Sequence, residues 1–412
     1  MLSALSTASR LFSNTLKTYG ILLQGKKIPM THIDYEITDA CNSKCQFCNV
    51  WQGKPSTDIL KTDEIIRIFE EPFFKTLKSI IITGGEPFIR KDLNEILYGI
   101  NKSIPGIIFA LSSNGLLPER VIDTVKFCIS KQIKFAVGIS LDDVGERHDL
   151  LRGVAGNFNK VDYIVRELVV IRERSKYPFE IIVAHCLCDE GVESLPRVRK
   201  YAEERDVTFM TQVVEEFSFY GNINNGSARH TNNFNKNEST DISKTYLSSE
   251  EIIKIMNGTP SGLRTYKQRG EHSLKVNKKY MNNEPIIKSL ESLPTNFHIE
   301  YLKNVLNGGT ARFNCFSLRN FYFMKCNGDV TPCLRYAHVP VGNLRDTPAS
   351  EVFYGEKAMA ARKVIAKCDG CANTWATDWS MEASFLSFTK ILLRSLMAKR
   401  KTRKCDEQDC AK

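Results

Sequence analysis

The stretch Cys41-Asn-Ser-Lys-Cys45-Gln-Phe-Cys48 carries the strongest structural signal in this chain of 412 residues. Its cysteines have CxxxCxxC spacing and directly follow a strand-like run at residues 33–38. Three soft thiolates held this close suit an iron–sulfur cluster. No fourth cysteine lies close by in sequence, so one iron would stay open to an outside molecule, as in catalytic metal sites. The spacing therefore predicts a reactive cluster at the end of a strand, with three packed or zinc-binding cysteines as the alternative.

The sequence around this stretch alternates short apolar runs with amphipathic segments. Six runs are predicted as strands: Ile33–Thr38, Ser79–Thr83, Ile107–Ser112, Lys134–Ser140, Phe179–His185 and Val207–Val213. The segments between them repeat apolar residues at helical spacing, for example at 63–69, 92–100 and 161–171. Six strand-helix repeats imply parallel strands joined by right-handed crossovers. The predicted fold class is therefore α/β, a barrel or an open sheet, with its sites at the carboxyl ends of the strands.

Glycine-rich and polar motifs follow the next predicted strands. TGGEP at 83–87 ends the second, SSNG at 112–115 the third and SLD at 140–142 the fourth, with Arg152 in the segment beyond. Taken one at a time, each is an ordinary strand-end turn, in which glycine supplies unusual backbone angles. His185 ends the fifth strand and is either a substrate contact at the barrel mouth or a hydrogen-bonded strand-end histidine.

Because the CxxxCxxC and GGEP motifs follow consecutive strands, the chain resembles the radical S-adenosylmethionine (SAM) enzymes. The resemblance implies a partial (β/α)6 TIM-type barrel and a [4Fe–4S] cluster on Cys41, Cys45 and Cys48, whose open iron SAM would chelate. One electron then breaks a carbon–sulfur bond of SAM, and the resulting 5′-deoxyadenosyl radical abstracts a substrate hydrogen. The residues that the resemblance places at the bound SAM are Phe47, Gly84, Gly85, Glu86, Pro87, Ser112, Asn114, Ser140 and Arg152.

A second group of cysteines lies near the carboxyl end. Cys315 is followed by twelve residues, Gly328, four residues and Cys333, and later by Cys368 and Cys371. This pattern resembles the SPASM and twitch extensions of radical SAM enzymes, which hold auxiliary clusters. A full SPASM pattern continues with further cysteines, whereas Thr377 stands where the next one is expected. The four cysteines suffice for one fully ligated second [4Fe–4S] cluster; a structural zinc site is the alternative, and Cys326 could replace one ligand.

These patterns divide the chain into five predicted parts. Residues 1–32 form an amphipathic amino-terminal segment, and 33–220 form the partial barrel. Residues 221–309 combine an Asn-rich linker with a helical insert. The small auxiliary-cluster domain covers 310–380, and a basic amphipathic tail covers 381–412.

The net charge of +10 is concentrated in the two ends of the chain. Residues 1–33 and 383–404 contain only basic charged side chains, which leaves the rest near neutral. A near-neutral body gives no reason to expect nucleic acid as a partner. Cationic amphipathic ends favour a cytoplasmic protein that is peripheral at an anionic membrane surface. Terminal helices packed on the barrel, or an organellar transit peptide, are the alternatives.

The motifs specify cofactors rather than a substrate. Surface-seeking ends favour a lipid or lipid-linked substrate, and the alternative is a peptide- or protein-modifying maturase. The family resemblance also implies a reductase such as flavodoxin or ferredoxin as the electron donor. From another class, a non-enzymatic iron–sulfur electron carrier would keep the cysteines without needing the SAM-contacting residues.

Overall fold

The computed structural model describes residues 29–187, 194–213, 315, 317–333 and 336–367. The predicted auxiliary ligands Cys368 and Cys371, the Asn-rich linker and both basic ends lie outside these ranges. Within the described ranges, no helix combines the length and the apolar character needed to cross a bilayer.

The described residues contain one nine-stranded sheet. Its strands are β1 (His32–Thr38), β2 (Ser79–Gly84), β3 (Ile108–Ser113), β4 (Lys134–Ser140), β5 (Glu180–Leu187), β6 (Thr208–Val213), β7 (Phe321–Met324), β8 (Asp329–Thr331) and β9 (Gly342–Asn343). Their order is β6-β5-β4-β3-β2-β1-β7-β8-β9. All neighbours from β6 to β7 are parallel. Strand β8 pairs antiparallel with β7, and β9 pairs antiparallel with β8. The α/β fold class predicted above is confirmed.

Helices connect the parallel strands. They are α1 (Thr62–Glu70), α2 (Leu93–Ser103), α3 (Pro118–Ser130), α4 (Glu146–Arg152), α5 (Asn157–Arg174) and α6 (Leu195–Glu203), and α7 (Ala349–Tyr354) and α8 (Glu356–Ile365) follow the last strand. Pro118 starts α3 at a position where the missing N–H costs no helical hydrogen bond. Gly153, in a left-handed conformation, ends α4.

The two faces of the sheet differ because each strand from β2 to β6 lies beside the strand that precedes it in the chain, always on the same edge of the sheet. Right-handed crossovers then place every connecting helix on the same side. On β1, Ile33, Tyr35 and Ile37 lie in the helix-packed core, while Asp34 and Glu36 point to the opposite side. We call that opposite side the inner face. The sheet is open, so it forms the partial barrel predicted from the sequence.

Small side chains line much of the inner face. Ala110, Ala136, Gly138 and Ala184 occupy its central positions on β3, β4 and β5, and all are half-buried. The outward-pointing residues of the same strands are fully buried under the helices. The inner face therefore has the room and the access that a ligand site in a barrel requires.

The carboxyl-terminal residues extend the barrel sheet instead of standing apart from it. Strand β7 pairs with β1 on the edge opposite β2. The Phe353 ring on α7 stacks on Phe73 at a centroid distance of 4.9 Å and contacts Tyr322 of β7 at 4.5 Å. These buried aromatic contacts join the described carboxyl-terminal residues to the barrel core. The domain boundaries given above stay predictions.

Candidate active site

The loop that carries Cys41, Cys45 and Cys48, called the cysteine loop below, lies at the carboxyl end of β1 and is held against the end of α4. The backbone N–H of Lys44 donates to the carbonyl of Arg152 at 3.0 Å, and that of Gln46 donates to Leu151 at 3.0 Å. The Ser43 hydroxyl donates to the same Arg152 carbonyl at 3.1 Å. Gly153 follows, and a Cβ there would lie 2.4 Å from the Lys44 carbonyl oxygen. The loop conformation thus depends on a helix more than a hundred residues away in sequence.

The GGEP loop holds the other side of the cysteine loop. The N–H of Gly85 donates to the Thr38 carbonyl at 2.7 Å, and the N–H of Glu86 donates to the Ala40 carbonyl at 2.8 Å. A Cβ on Gly84 or Gly85 would lie 2.1 Å from the carbonyl oxygen of Thr38 or Ala40, respectively. Only glycine permits this approach. The glycine pair therefore sets the backbone that leads into Cys41.

The Glu86 side chain is buried and hydrogen-bonded within the protein. Its carboxylate accepts from the Asn114 N–H at 2.7 Å, from the Ser113 hydroxyl at 3.1 Å and from the Phe88 N–H at 3.2 Å. Burial raises the pKa of Glu86 to about 7. This carboxyl joins the loop after β2 to the loop after β3. In that second loop, the Asn114 amide lies 3.8 Å from the Cys41 sulfur.

Arg152 is buried beside the cysteine loop. Its Nε donates to Asp142 Oδ2 at 2.5 Å, and its Nη1 lies 3.7 Å from the Cys45 sulfur. The guanidinium also lies over the Phe47 ring at 5.3 Å. Burial is the largest single effect and opposes its charge, but the Asp142 carboxylate together with Cys45 and Cys186 raises the pKa of Arg152, so the group stays protonated. Its Nη2 is buried and has no hydrogen-bond partner. A directed cationic donor is therefore available next to Cys45.

Asp142 and His148 support this arginine, although neither was among the site residues predicted from the sequence. The second oxygen of Asp142 accepts from the Cys186 N–H at 2.9 Å, and the Asp142 N–H donates to His148 Nδ1 at 3.1 Å. Burial lowers the pKa of His148 to about 4, which keeps Nδ1 an acceptor at neutral pH. The sequence signal that could have identified Asp142 was its position just after β4, because sites in such barrels form at the carboxyl ends of the strands.

The three thiols fit a cluster better than a single metal ion. Burial raises the pKa of Cys41, and it raises that of Cys48 to about 11, so both prefer the protonated form until a metal displaces the proton. Among the described residues, no three acidic, histidine or cysteine side chains converge closely enough to hold one metal ion. In a four-iron cluster each cysteine binds a different iron, so convergence on one point is not required. The three cysteine sulfurs are soft donors beside the Arg152 cation, and they suit a cluster of this kind.

The remaining predicted site residues lie around the same end of the barrel. Ser112 and Ser140 are half-buried on the inner face at the ends of β3 and β4. Gly84, Pro87 and Phe47 belong to the two loops described above. The structure thus brings together residues from β1 to β4 that are separate in sequence.

His185 does not face the barrel mouth. It lies on the helix-packed side of β5, fully buried, with Nε2 2.8 Å from the Ser194 hydroxyl and Nδ1 3.1 Å from the Thr211 hydroxyl. The substrate-contact hypothesis for His185 was wrong because strand register places its side chain between β5 and α6. The hydrogen-bonded alternative is the one that the structure contains.

Only part of the second cysteine group is described. Cys315 and Cys333 are half-buried and pack against the hydrophobic core. Cys326 is buried and hydrogen-bonded to Glu36 on β1, and burial together with that carboxyl raises the pKa of the Cys326 thiol. Such a thiol stays protonated in the folded chain.

Comparison with known families agrees with this geometry. Residues 35–171 match the model of the radical SAM superfamily, and residues 315–372 match that of the SPASM iron–sulfur cluster-binding domain. The fold and the site thus define a protein of the radical SAM class. Residues 35–171 are thus a radical SAM domain, and residues 315–372 are a carboxyl-terminal SPASM domain. These domains imply SAM, a [4Fe–4S] cluster and auxiliary iron–sulfur binding.

Individual relatives are similar over limited parts of their length. The GTP 3′,8-cyclase of Clostridium botulinum (strain Hall) is 32% identical over 144 residues, which cover 33% of this chain and 42% of the cyclase. The subtilosin biosynthesis protein AlbA of Bacillus subtilis (strain 168) is 30% identical over 152 residues, 36% of this chain and 32% of AlbA. The chain thus spans less than half of either relative.

Solved structures with a similar fold include a complex of a peptide-binding protein. Streptococcus suis SuiB, bound to its precursor peptide SuiA, superposes with a TM-score of 0.50 at 15% identity. The match covers 87% of this chain and 75% of SuiB. This is a likeness of fold alone.

Proposed function

We propose that this protein binds SAM at the cysteine loop, cleaves it reductively and uses the product to abstract a hydrogen atom from a substrate. A [4Fe–4S] cluster on Cys41, Cys45 and Cys48 would supply the electron that breaks the carbon–sulfur bond and yields methionine and a 5′-deoxyadenosyl radical. A reductase such as flavodoxin or ferredoxin would restore that electron. The chain's own residues would bind and orient SAM and exclude water from the radical.

Arg152 is the observation that carries this proposal. Its Nη2 is a buried N–H donor without a protein partner, directly beside a predicted cluster ligand. A buried donor left unpaired costs stability unless a ligand accepts from it. SAM has a carboxylate and ribose hydroxyls that can accept. Asp142 holds the guanidinium in place through Nε, so that Nη2 keeps a defined direction.

The positions of other predicted SAM-contacting residues also support SAM binding at this end of the barrel. Ser112 and Ser140 lie half-buried at the strand ends, where they can reach a nucleoside on the inner face. The glycine loop presents backbone rather than side chains beside Cys41, which suits the methionyl end of SAM. Glu86 would act indirectly, because its carboxylate accepts three hydrogen bonds from the protein and so positions Asn114.

The electron-carrier alternative has less support. A carrier needs buried, fully ligated clusters, and it has no use for an unpaired guanidinium N–H beside the cysteine loop. The substrate remains open, since the names of the two relatives above denote a GTP cyclase and a bacteriocin biosynthesis protein. The hypotheses of a lipid substrate and an anionic membrane partner depend on residues 1–27 and 383–404, which lie outside the described residues.

Anaerobic reconstitution followed by SAM and dithionite tests the proposal. The parent chain is expected to hold about eight irons in two clusters and to release 5′-deoxyadenosine, measured by chromatography. Replacing Cys41, Cys45 and Cys48 together with alanine should remove about half the iron and all cleavage. Cys128→Ala is the matched control, because that buried cysteine lies on α3 away from the loop. Equal 5′-deoxyadenosine from the parent and the triple variant would contradict the proposal.

The auxiliary cluster needs its own measurement. Replacing Cys368 and Cys371 with alanine should remove the other half of the iron while Cys41, Cys45 and Cys48 keep theirs. About one zinc per chain together with only four irons would instead identify the second group as a structural zinc site.

A further inference from the structure

Exposed lysines lie together at the end of the barrel opposite the cysteine loop. They stand where β2, β3 and β4 begin: Lys75, Lys78, Lys102, Lys131 and Lys134. The end of α2 and the loop that follows it lie among them. The Ser103 carbonyl there accepts from the Lys75 ammonium at 2.5 Å, and a Cβ on Gly106 would lie 3.8 Å from the Lys134 ammonium. Lysines from separate segments thus border one short loop.

No carboxylate pairs with these lysines in the described part of the chain. The stretches that carry them, residues 72–85, 96–118 and 124–141, contain no Asp or Glu. None of these lysines forms an ion pair with a described residue. On the neighbouring strand β5, Glu180 accepts from the Thr208 hydroxyl of β6 at 2.8 Å. The region where β2, β3 and β4 begin is therefore a positively charged surface.

Apolar and aromatic side chains are exposed between the lysines. Ile108, the first residue of β3, is 46% exposed and pairs in register with Lys134 of β4. Tyr98 on α2 is 37% exposed, and the ammonium groups of Lys102 and Lys131 lie 5.6 Å and 5.4 Å from the centre of its ring. We call Tyr98, Ile108 and the lysines named above the lysine surface. Apolar side chains among cations are typical of protein surfaces that lie on a membrane.

The basic amino-terminal segment joins the barrel at the same end. The Thr31 carbonyl, directly before β1, accepts from the N–H of Lys78 at 2.8 Å. Residues 1–28 lie outside the described residues, and their sequence contains no acid and these basic residues: Arg10, Lys17, Lys26 and Lys27. Further basic residues thus precede β1 in sequence where it enters the sheet beside the lysine surface.

We propose that the lysine surface docks the protein on an anionic lipid surface, with the active site turned to the solvent. The lysines supply the opposite charge, and Ile108 and Tyr98 supply apolar area for the headgroup region. An acidic protein would need carboxylates placed opposite lysines on separate helix ends and loops, whereas the headgroups of a fluid bilayer rearrange to meet them. This docking does not depend on the proposed function. A membrane partner was predicted above from the two ends of the chain, and the lysine surface adds described residues to that prediction.

Docking through the lysine surface leaves the active site accessible. Strand β2 runs from Ser79 beside this surface to Gly84 beside the cysteine loop, a length of about 20 Å. The cysteine loop therefore lies on the side of the barrel that faces away from the lipid. SAM and an electron donor would reach it while the protein stays bound.

Sedimentation of the full chain with lipid vesicles tests the docking. The parent is expected to bind vesicles of phosphatidylcholine mixed with phosphatidylglycerol and not vesicles of phosphatidylcholine alone. High salt should release it, because salt screens exposed charges. Replacing Lys102, Lys131 and Lys134 together with Gln should weaken binding about a hundredfold, roughly fivefold for each lysine.

The matched control removes the same charge at the other end of the barrel. It replaces three exposed lysines with Gln: Lys54, Lys91 and Lys160. The basic ends of the chain are present in both triple variants, so the comparison isolates the lysine surface. The control should bind vesicles nearly as the parent does. An equal or greater loss in the control, or a parent that does not bind the anionic vesicles, would overturn the proposal.

Ile108→Ser separates a lipid surface from other polyanions. This variant keeps every lysine and should bind the anionic vesicles severalfold more weakly, because its apolar side chain no longer enters the headgroup region. Unchanged vesicle binding would mean that the lysines attract any polyanion, such as a nucleic acid or an acidic protein, and would overturn the assignment to lipid. Iron content and 5′-deoxyadenosine release should stay at the parent level in all three variants. A parent that binds vesicles but does not cleave SAM would contradict the proposed function alone.

Discussion

Replacing Gly85 with alanine should displace the cysteine loop, although the backbone angles of Gly85 lie outside the left-handed region. The added Cβ would lie 2.1 Å from the Ala40 carbonyl oxygen, and an ordinary contact begins at 3.4 Å. The backbone must therefore separate by at least about 1.3 Å next to Cys41. Metal ligands tolerate errors of only about 0.2 Å. Two hydrogen bonds between these loops would also weaken, at about 1 kcal/mol each.

The assay is iron content after anaerobic reconstitution, together with SAM affinity and the melting temperature. Gly85→Ala is expected to lose most of the roughly four irons of the first cluster and to bind SAM at least tenfold more weakly. Gly99→Ala is the matched control. Its Cβ would lie 2.3 Å from the end of the Ile66 side chain, which can rotate away between α1 and α2. That variant should lose some stability and keep its iron.

Full iron content and unchanged SAM affinity in Gly85→Ala would refute this reasoning. They would mean that the cysteine loop is not positioned by its contact with the glycine pair. Equal iron loss in both glycine variants would instead indicate a general effect of destabilisation.

Three further outcomes are expected. Arg152→Ala should lower the free energy of unfolding by about 3–5 kcal/mol in denaturant melts, because the Asp142 carboxylate stays buried without its partner. Adding Asp142→Asn to this variant should recover part of the stability but should not restore SAM binding. His148 takes up a proton in the unfolded chain before the folded one, so its own contribution to stability should fall by ~3 kcal/mol between pH 6.5 and pH 4. The difference in free energy of unfolding between the parent and His148→Gln should change by that amount over this range. Phe353→Ala should cost about 3–5 kcal/mol in a single denaturation transition, whereas a loss under about 1 kcal/mol would contradict the shared core.

Local patterns in the sequence predicted most of the barrel. The strand at Lys134–Ser140 has the predicted bounds, and the run predicted at 179–185 forms Glu180–Leu187. Alternating and helical apolar patterns arise from short-range geometry, so they are readable without a structure. The face on which a strand residue lies depends on register, and a shift by one residue reverses it. For that reason the sequence left two alternatives open for His185, and the register decided between them.

The sequence by itself determined which residues are predicted to hold the first cluster. Cysteine spacing and the glycine pair are local, and each reports directly on ligand geometry or on close backbone approach. The tertiary structure decided which groups meet. Arg152 reaches Cys45 across 107 residues of chain, and β7 takes its place beside β1. Such pairings result from packing between distant segments, which no short sequence pattern records.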